Sequence, residues 1–96
     1  KKAVYHYEQA AIGGHPVARA YLGLHELSNG MPDRAAKHFI INANLGHDAS
    51  MKPIKDLFVK GVLSKDDYAA ALRGYQAAVD ATKSAEREEA EAYYAR

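Results

Sequence analysis

The chain has 96 residues, 48% of them hydrophobic, with thirteen Lys and Arg against twelve Asp and Glu and no cysteine. That length fits one small domain, the balanced charge gives no net pull toward nucleic acid or a membrane surface, and the lack of cysteine excludes disulfides and thiolate chemistry. No apolar run approaches the ~18 residues of a membrane span and no signal-peptide pattern opens the chain, so a soluble, cytoplasmic protein without a membrane partner is expected.

Residues 1–12 read as a first helix, with Ala3, Tyr7, Ala10 and Ala11 on one stripe. The chain opens at Lys1-Lys2-Ala3, already inside this pattern, as a fragment of a longer array would. Gly13-Gly14 ends the helix and Pro16 suits the first turn of a second, over 16–28, whose inner stripe is Ala18, Leu22, Gly23 and Glu26. Asn29-Gly30 closes it. A third helix starts near Pro32-Asp33 and carries Ala35, Ala36, Phe39 and Ala43 toward Gly46. A fourth, over 50–60, is less regular: capping by Ser50 places Pro53 at the third helical position, whereas capping by Asp48 would put it deeper and kink the helix. Ser64-Lys65-Asp66-Asp67 resembles a capping box, and the fifth helix, over 65–82, sets Tyr68, Leu72, Tyr75, Val79 and Thr82 on one face. Residues 84–96 are rich in Glu and Ala. Ser84 can cap a separate lid there, with Ala85, Ala92 and Tyr93 covering the preceding hairpin; with no Pro or Gly after 75, one long helix is the other reading.

Three copies of one pattern run through these helices: Ala3-x3-Tyr7-x2-Ala10, Ala35-x3-Phe39-x2-Asn42 and Ala71-x3-Tyr75-x2-Ala78, spaced by 32 and then 36 positions. Gly14-His15 recurs in phase as Gly46-His47. Self-similarity at this period marks a helical solenoid, whose units bury their cores by stacking on neighbours.

The run Ala18-x3-Leu22-Gly23, Gly30, Ala35-x3-Phe39, Gly46-His47 resembles the Sel1-like repeat, a relative of the tetratricopeptide repeat. Lys1 to Ala11 with Gly14-His15 resembles the second helix of a preceding unit, and the likeness continues more weakly over 48–82 through Ser50-x3-Ile54. The chain departs from the family's pattern at Glu26, where an aromatic is favoured, at Asn42, where a small residue is usual, and at Lys55, where glycine follows the position of Ile54. The resemblance implies an all-α superhelix of antiparallel helix pairs, about five helices plus a C-terminal capping helix. It is divided as a partial repeat (1–15), a repeat (16–47), a degenerate repeat (48–83) and a cap (84–96). It further implies that helices 16–28 and 50–60 line the concave side, and that the domain acts as an adaptor or scaffold in protein complexes.

Helix 16–28 is apolar nearly all round. Beyond its inner stripe, Val17, Ala20, Leu24 and Leu27 form a second one, with Tyr21 beside it, and a helix apolar on two sides must bury both. Met31 and Met51 extend this patch with adaptable contacts, and Ala49, Lys52, Pro53, Asp56 and Lys60 supply a rim. The expected function is therefore non-catalytic binding of a protein partner, or of a second copy of the chain, through Val17, Ala20, Tyr21, Leu24, Leu27, Met31, Lys52, Pro53 and Asp56. Lys52 and Asp56 would set register more than affinity. The bland reading is that the stripe packs on helices 1–12 and 50–60. A natural repeat redesigned as a binder or self-assembling subunit is a further reading of the same clustered apolar residues.

Other chemistries find little support. No two of the five histidines stand at i, i+4 and no His-Glu-x-x-His occurs, so no metal or cofactor is expected. Gly13-Gly14 follows a helix and reads as a cap instead of a phosphate loop. Ser28, Ser50, Ser64 and Ser84 look like cap or loop residues with no His–acid partners at hand. An RNA-binding helical repeat would use Lys52, Lys55, Lys60 and Lys65 with Phe58, but Asp56, Asp66 and Asp67 interrupt that patch.

Overall fold

Glycine sets the ends of the first four helices. Gly14, Gly30, Gly46 and Gly61 all take a left-handed backbone, with φ of 86°, 72°, 79° and 83°. The next amide in each case turns back onto the last helical turn: His15 N–H donates to Ala10 O, Met31 to Glu26 O, His47 to Asn42 O and Val62 to Leu57 O. This is the Schellman closure, which satisfies carbonyls that the helix itself leaves open. The computed structural model describes residues 2–95; Lys1 and Arg96, at the ends of the expected first and last helices, lie outside the described residues.

Between these stops run α1 (Lys2–Ile12), α2 (Pro16–Ser28), α3 (Pro32–Asn44), α4 (Met51–Val59) and α5 (Lys65–Tyr94), with a 3-10 turn over Asp48–Ser50 leading into α4. The described residues contain no strand, so the fold is all-α. Pro16 and Pro32 occupy the first turns of α2 and α3, and Ser64 Oγ accepts from the Asp67 N–H at 3.0 Å to cap α5. At α4 Ser50 stands at the N-cap, as expected, without the side-chain bond of a capping serine. Pro53 is the third helical residue, and the Ser50 hydroxyl is drawn inward, fully buried.

α3 is the hub. It packs on α2, α4 and α5, while α1 packs on α2. Ala35, Ala36, Phe39 and Ala43 of α3 form one core with Ile54 and Leu57 of α4, Leu63, and Ala71 of α5. Ala18, Leu22 and Gly23 bury the inner face of α2, and Glu26 at its end pairs with Arg34 at 3.4 Å. Six of the eleven buried apolar residues among those described are alanines; small side chains let the helices approach closely but bury little area each.

Several expectations about helix faces need correction. Among the described side chains of α1 only Ala11 is buried, and Ala3 and Tyr7 are exposed, because the main packing of α1 is on α2 alone. On α5 Tyr68, Tyr75 and Val79 are half-buried as expected, but the fully buried residue is Ala71, while Leu72 (42% exposed) and Thr82 stand outside the packed face. Met51 packs against the core instead of extending a surface patch. The C-terminal lid is not a separate helix: α5 runs unbroken through 30 residues, with Ser84 in its interior. From Asp80 onward every described residue is exposed, so Ala85, Ala92 and Tyr93 cover nothing.

Candidate functional site

α2 is two-faced. One residue beyond the buried Leu22 and Gly23, its opposite side presents Val17, Tyr21 and Leu24, each 49% exposed, with Leu27 at 37% one turn further. Their spacing at 17, 21, 24 and 27 keeps them on one face of a 3.6-residue helix. α3 packs on the other side of α2, α1 borders this face at Tyr21, and no substantial contact reaches it from α4. Of the bland reading, in which the stripe packs on helices 1–12 and 50–60, the α4 part lacks support in the packing, while on the α1 side Tyr21 does stack on Tyr7.

This face stands between two hollows. On the α1 side, Tyr7, Ala10, Val17 and Tyr21 line a shallow furrow with His6 and His15 at its margin. The Tyr7 and Tyr21 rings stack across it, with centroids 4.9 Å apart and planes inclined by 21°. On the other side, Val17, Ala20, Tyr21 and Leu24 face Ala49 and His47 across a second furrow. Val17 and Tyr21 belong to both, so α2 is a ridge with a groove along each flank.

Polar contacts fix the walls. His15 closes the start of α2 by accepting the Ala18 N–H at its Nδ1, 3.4 Å away. The second Gly-His pair makes a side-chain contact instead: at the 3-10 turn His47 Nδ1 lies 2.8 Å from Ser50 Oγ. Behind both, the buried Asn42 amide donates to Pro16 O at 2.7 Å and to Ser50 Oγ at 3.1 Å. α3 thus ties the first turn of α2 to the turn that carries Ala49, which sets the width of the groove between them. Asn42 Oδ1 is buried without a hydrogen-bond partner among the described residues.

The expected binding residues divide into two sets. Val17, Ala20, Tyr21 and Leu24 come together with Ala49, and Leu27 continues their face. Met31 is 45% exposed beyond the end of α2, its Sδ approached by Arg34 Nη1 at 3.9 Å. Lys52 and Asp56 are exposed and Pro53 half-buried on α4, but neither groove includes them. His6, Tyr7, Ala10, His15 and His47 were not expected at the site. Tyr7 was readable as an aromatic at a repeated position, but that repetition pointed to the core.

Ser50 is fully buried, so its contact with His47 is a structural pin that no substrate can reach. His38 sits between α2 and α3, with Arg19 Nη1 3.3 Å from its Nδ1; burial first, then the Arg19 charge, lowers its pKa from the usual 6.5. No group of three His, Asp or Glu among the described residues is arranged to hold a metal ion. Phe58, the aromatic of the basic patch, stacks on Tyr68 at 4.4 Å and is half-buried, which removes it from a base-stacking surface. No helix of the described residues is long and apolar enough to cross a membrane. No protein-family model matches the chain, and neither a curated protein nor a solved structure matches it significantly.

Proposed function

We propose that the chain is a non-catalytic protein-interaction module of Sel1-like, tetratricopeptide-like type, which docks a protein on the outer face of α2. The observation that carries this reading is the row of large apolar side chains, Val17, Tyr21 and Leu24, held half-exposed on a helix whose other face is fully used in the core. Each such side chain contributes ~1–2 kcal/mol when a partner desolvates it completely. The stacked Tyr7 and Tyr21 rings add large, rigid contact area, the kind that dominates protein interfaces. The sequence resemblance supports the same role through the expected orientation of helices 16–28 and 50–60.

Adjacent substitutions on the two faces of α2 test it. Leu24→Glu should keep the helical circular dichroism signal of the parent chain, because it removes no core contact. Leu22→Glu places a charge in the core, where only 6% of the residue is exposed, and should unfold the domain. Loss of folded structure in Leu24→Glu would mean that the face is core, and the reading would fail.

A further inference from the structure

We infer that the occupant of the α2 face is a second copy of the chain, seated across a two-fold axis so that the two α2 helices run antiparallel. This rests on the docking role proposed for that face and specifies its partner. Three observations lead to it.

The first is shape. A ridge flanked by a groove is self-complementary: under a two-fold rotation, Val17, Tyr21 and Leu24 of each copy enter the furrow beside Ala20 and Ala49 of the other. Alanine at the groove floor allows the two helix backbones to approach closely. An axis passing between Tyr21 and Leu24 brings each of these residues against the other in the partner.

The second is charge. The two grooves are lined by apolar residues and histidines, with no Asp, Glu, Lys or Arg among them. Placing two identical faces together therefore buries no pair of like formal charges, the usual obstacle to an isologous contact.

The third is area. Tyr7, Val17, Tyr21, Leu24 and Leu27 retain 36%, 49%, 49%, 49% and 37% of their exposure. At about 200 Å2 for a fully exposed large residue, they present roughly 450 Å2 of surface, most of it apolar. A standard interface buries about 800 Å2 per partner, about 65% of it apolar in homodimers, which amounts to roughly 520 Å2. The α2 face with its alanines comes close to that requirement. The isolated chain also has reason to assemble: its core holds five large apolar side chains (Leu22, Phe39, Ile54, Leu57 and Leu63), while fourteen lie exposed among the described residues. Small domains with so thin a core commonly gain stability by oligomerising.

The test uses the whole chain, which lacks cysteine. Sedimentation equilibrium over a concentration series should give a dimer mass at micromolar concentration, and Leu24→Glu should weaken dimerisation at least about 100-fold, since the substitution is made in both copies. In parallel, Leu24→Cys treated with a short bis-maleimide should give a covalent dimer. Leu72→Cys, exposed on α5 away from the face, should remain single at the same concentration. A parent chain that stays monomeric at high concentration, with Leu24→Cys no more cross-linked than Leu72→Cys and Leu24→Glu still folded, overturns the second-copy assignment but leaves the docking role intact. A dimer that Leu24→Glu does not weaken places the interface elsewhere and also overturns the assignment. Unfolding of Leu24→Glu sinks both readings together.

Discussion

Two glycines inside helices predict opposite responses to the same substitution. Gly23 lies in α2 against Phe39: a Cβ there would stand 2.6 Å from Phe39 Cζ and 2.9 Å from Cε1, where ordinary contacts begin at 3.4 Å. Phe39 is 1% exposed, so its ring has to shift by most of an ångström within packed surroundings. Overpacking of this kind costs ~1–3 kcal/mol, while replacing a helical glycine by alanine returns ~1 kcal/mol. Gly23→Ala should therefore destabilise the domain by about 1 kcal/mol, and by at most ~2 kcal/mol. Gly74 in α5 differs because its Cβ would meet the Oδ1 of Asn44, the end of an exposed side chain that can swing away, while the nearest backbone atom is 3.8 Å distant. There the helix-propensity gain dominates, and Gly74→Ala should stabilise by up to ~1 kcal/mol. With a urea dependence of ~1 kcal/mol/M for a domain this small, the unfolding midpoint falls by about 1 M in the first variant and rises by up to about 1 M in the second. Midpoints that move in the same direction would refute the close packing of Gly23 on Phe39 as the reason for glycine there.

Three further outcomes follow from the packing. His38 binds a proton less readily in the folded chain than its ordinary value of 6.5, so its share of stability is complete above pH 6.5 and lost as pH falls from there through the folded value; urea midpoints at about pH 5 and about pH 7.5 should differ less in His38→Gln than in the parent. In residues 81–96 every described residue is exposed, so after their deletion the unfolding temperature should stay within about 2 °C while the circular dichroism signal falls by the helix that was lost. Asn42→Ala strips the donors from Pro16 O and Ser50 Oγ and should cost ~1–3 kcal/mol in thermal unfolding, well beyond the effect expected of an exposed Asn→Ala.

The helix map was legible because local chemistry dictates it. Gly14, Gly30, Gly46 and Gly61 mark stops that need a left-handed backbone, and Pro16, Pro32 and Ser64 mark starts. The cores of α2 and α3 were also readable, since each is packed on two sides and shows a full stripe. Faces failed where a helix lacks neighbours. The stripes on α1 and in the C-terminal half of α5 have helical period, yet little or nothing lies opposite them, and periodicity reports amphipathicity without reporting a partner. On α5 the stripe's phase was right at Tyr68 and Tyr75, but Ala71 takes the buried place between them and leaves Leu72 outside. At the site, the exposed row on α2 was legible as apolar residues in excess of one core face. Of the opposite wall, Ala49 was read as rim but His47 was not, because both reach the groove through a 3-10 turn that Asn42 fixes through contacts with Pro16 and Ser50, distant in sequence. Asn42 stood out only as a polar departure at a position where the resemblance calls for a small residue; its buried hydrogen bonds supply the physical reason.

Exposure alone does not separate the α2 face from the free half of α5, which leaves Tyr93 and Tyr94 even more open, at 68% and 84%. Order does. Tyr21 is stacked on Tyr7, Val17 lies in the first turn of a helix capped by His15, and Ala49 is set by the Asn42 and His47 contacts, so the groove keeps its shape before anything enters it. A partner that lands there loses little affinity to ordering the site, because the rotamers and the backbone are already restricted. The exposed half of α5 has no such support. About fourteen residues of helix without a packed face are marginal in water, and a partner binding there would have to supply the free energy that holds the helix as well as that of the contact. Of these two apolar surfaces, the less exposed one is thus the better suited to the proposed docking, and the same reasoning predicts the loss of association at Leu24 and not at Tyr93 or Tyr94.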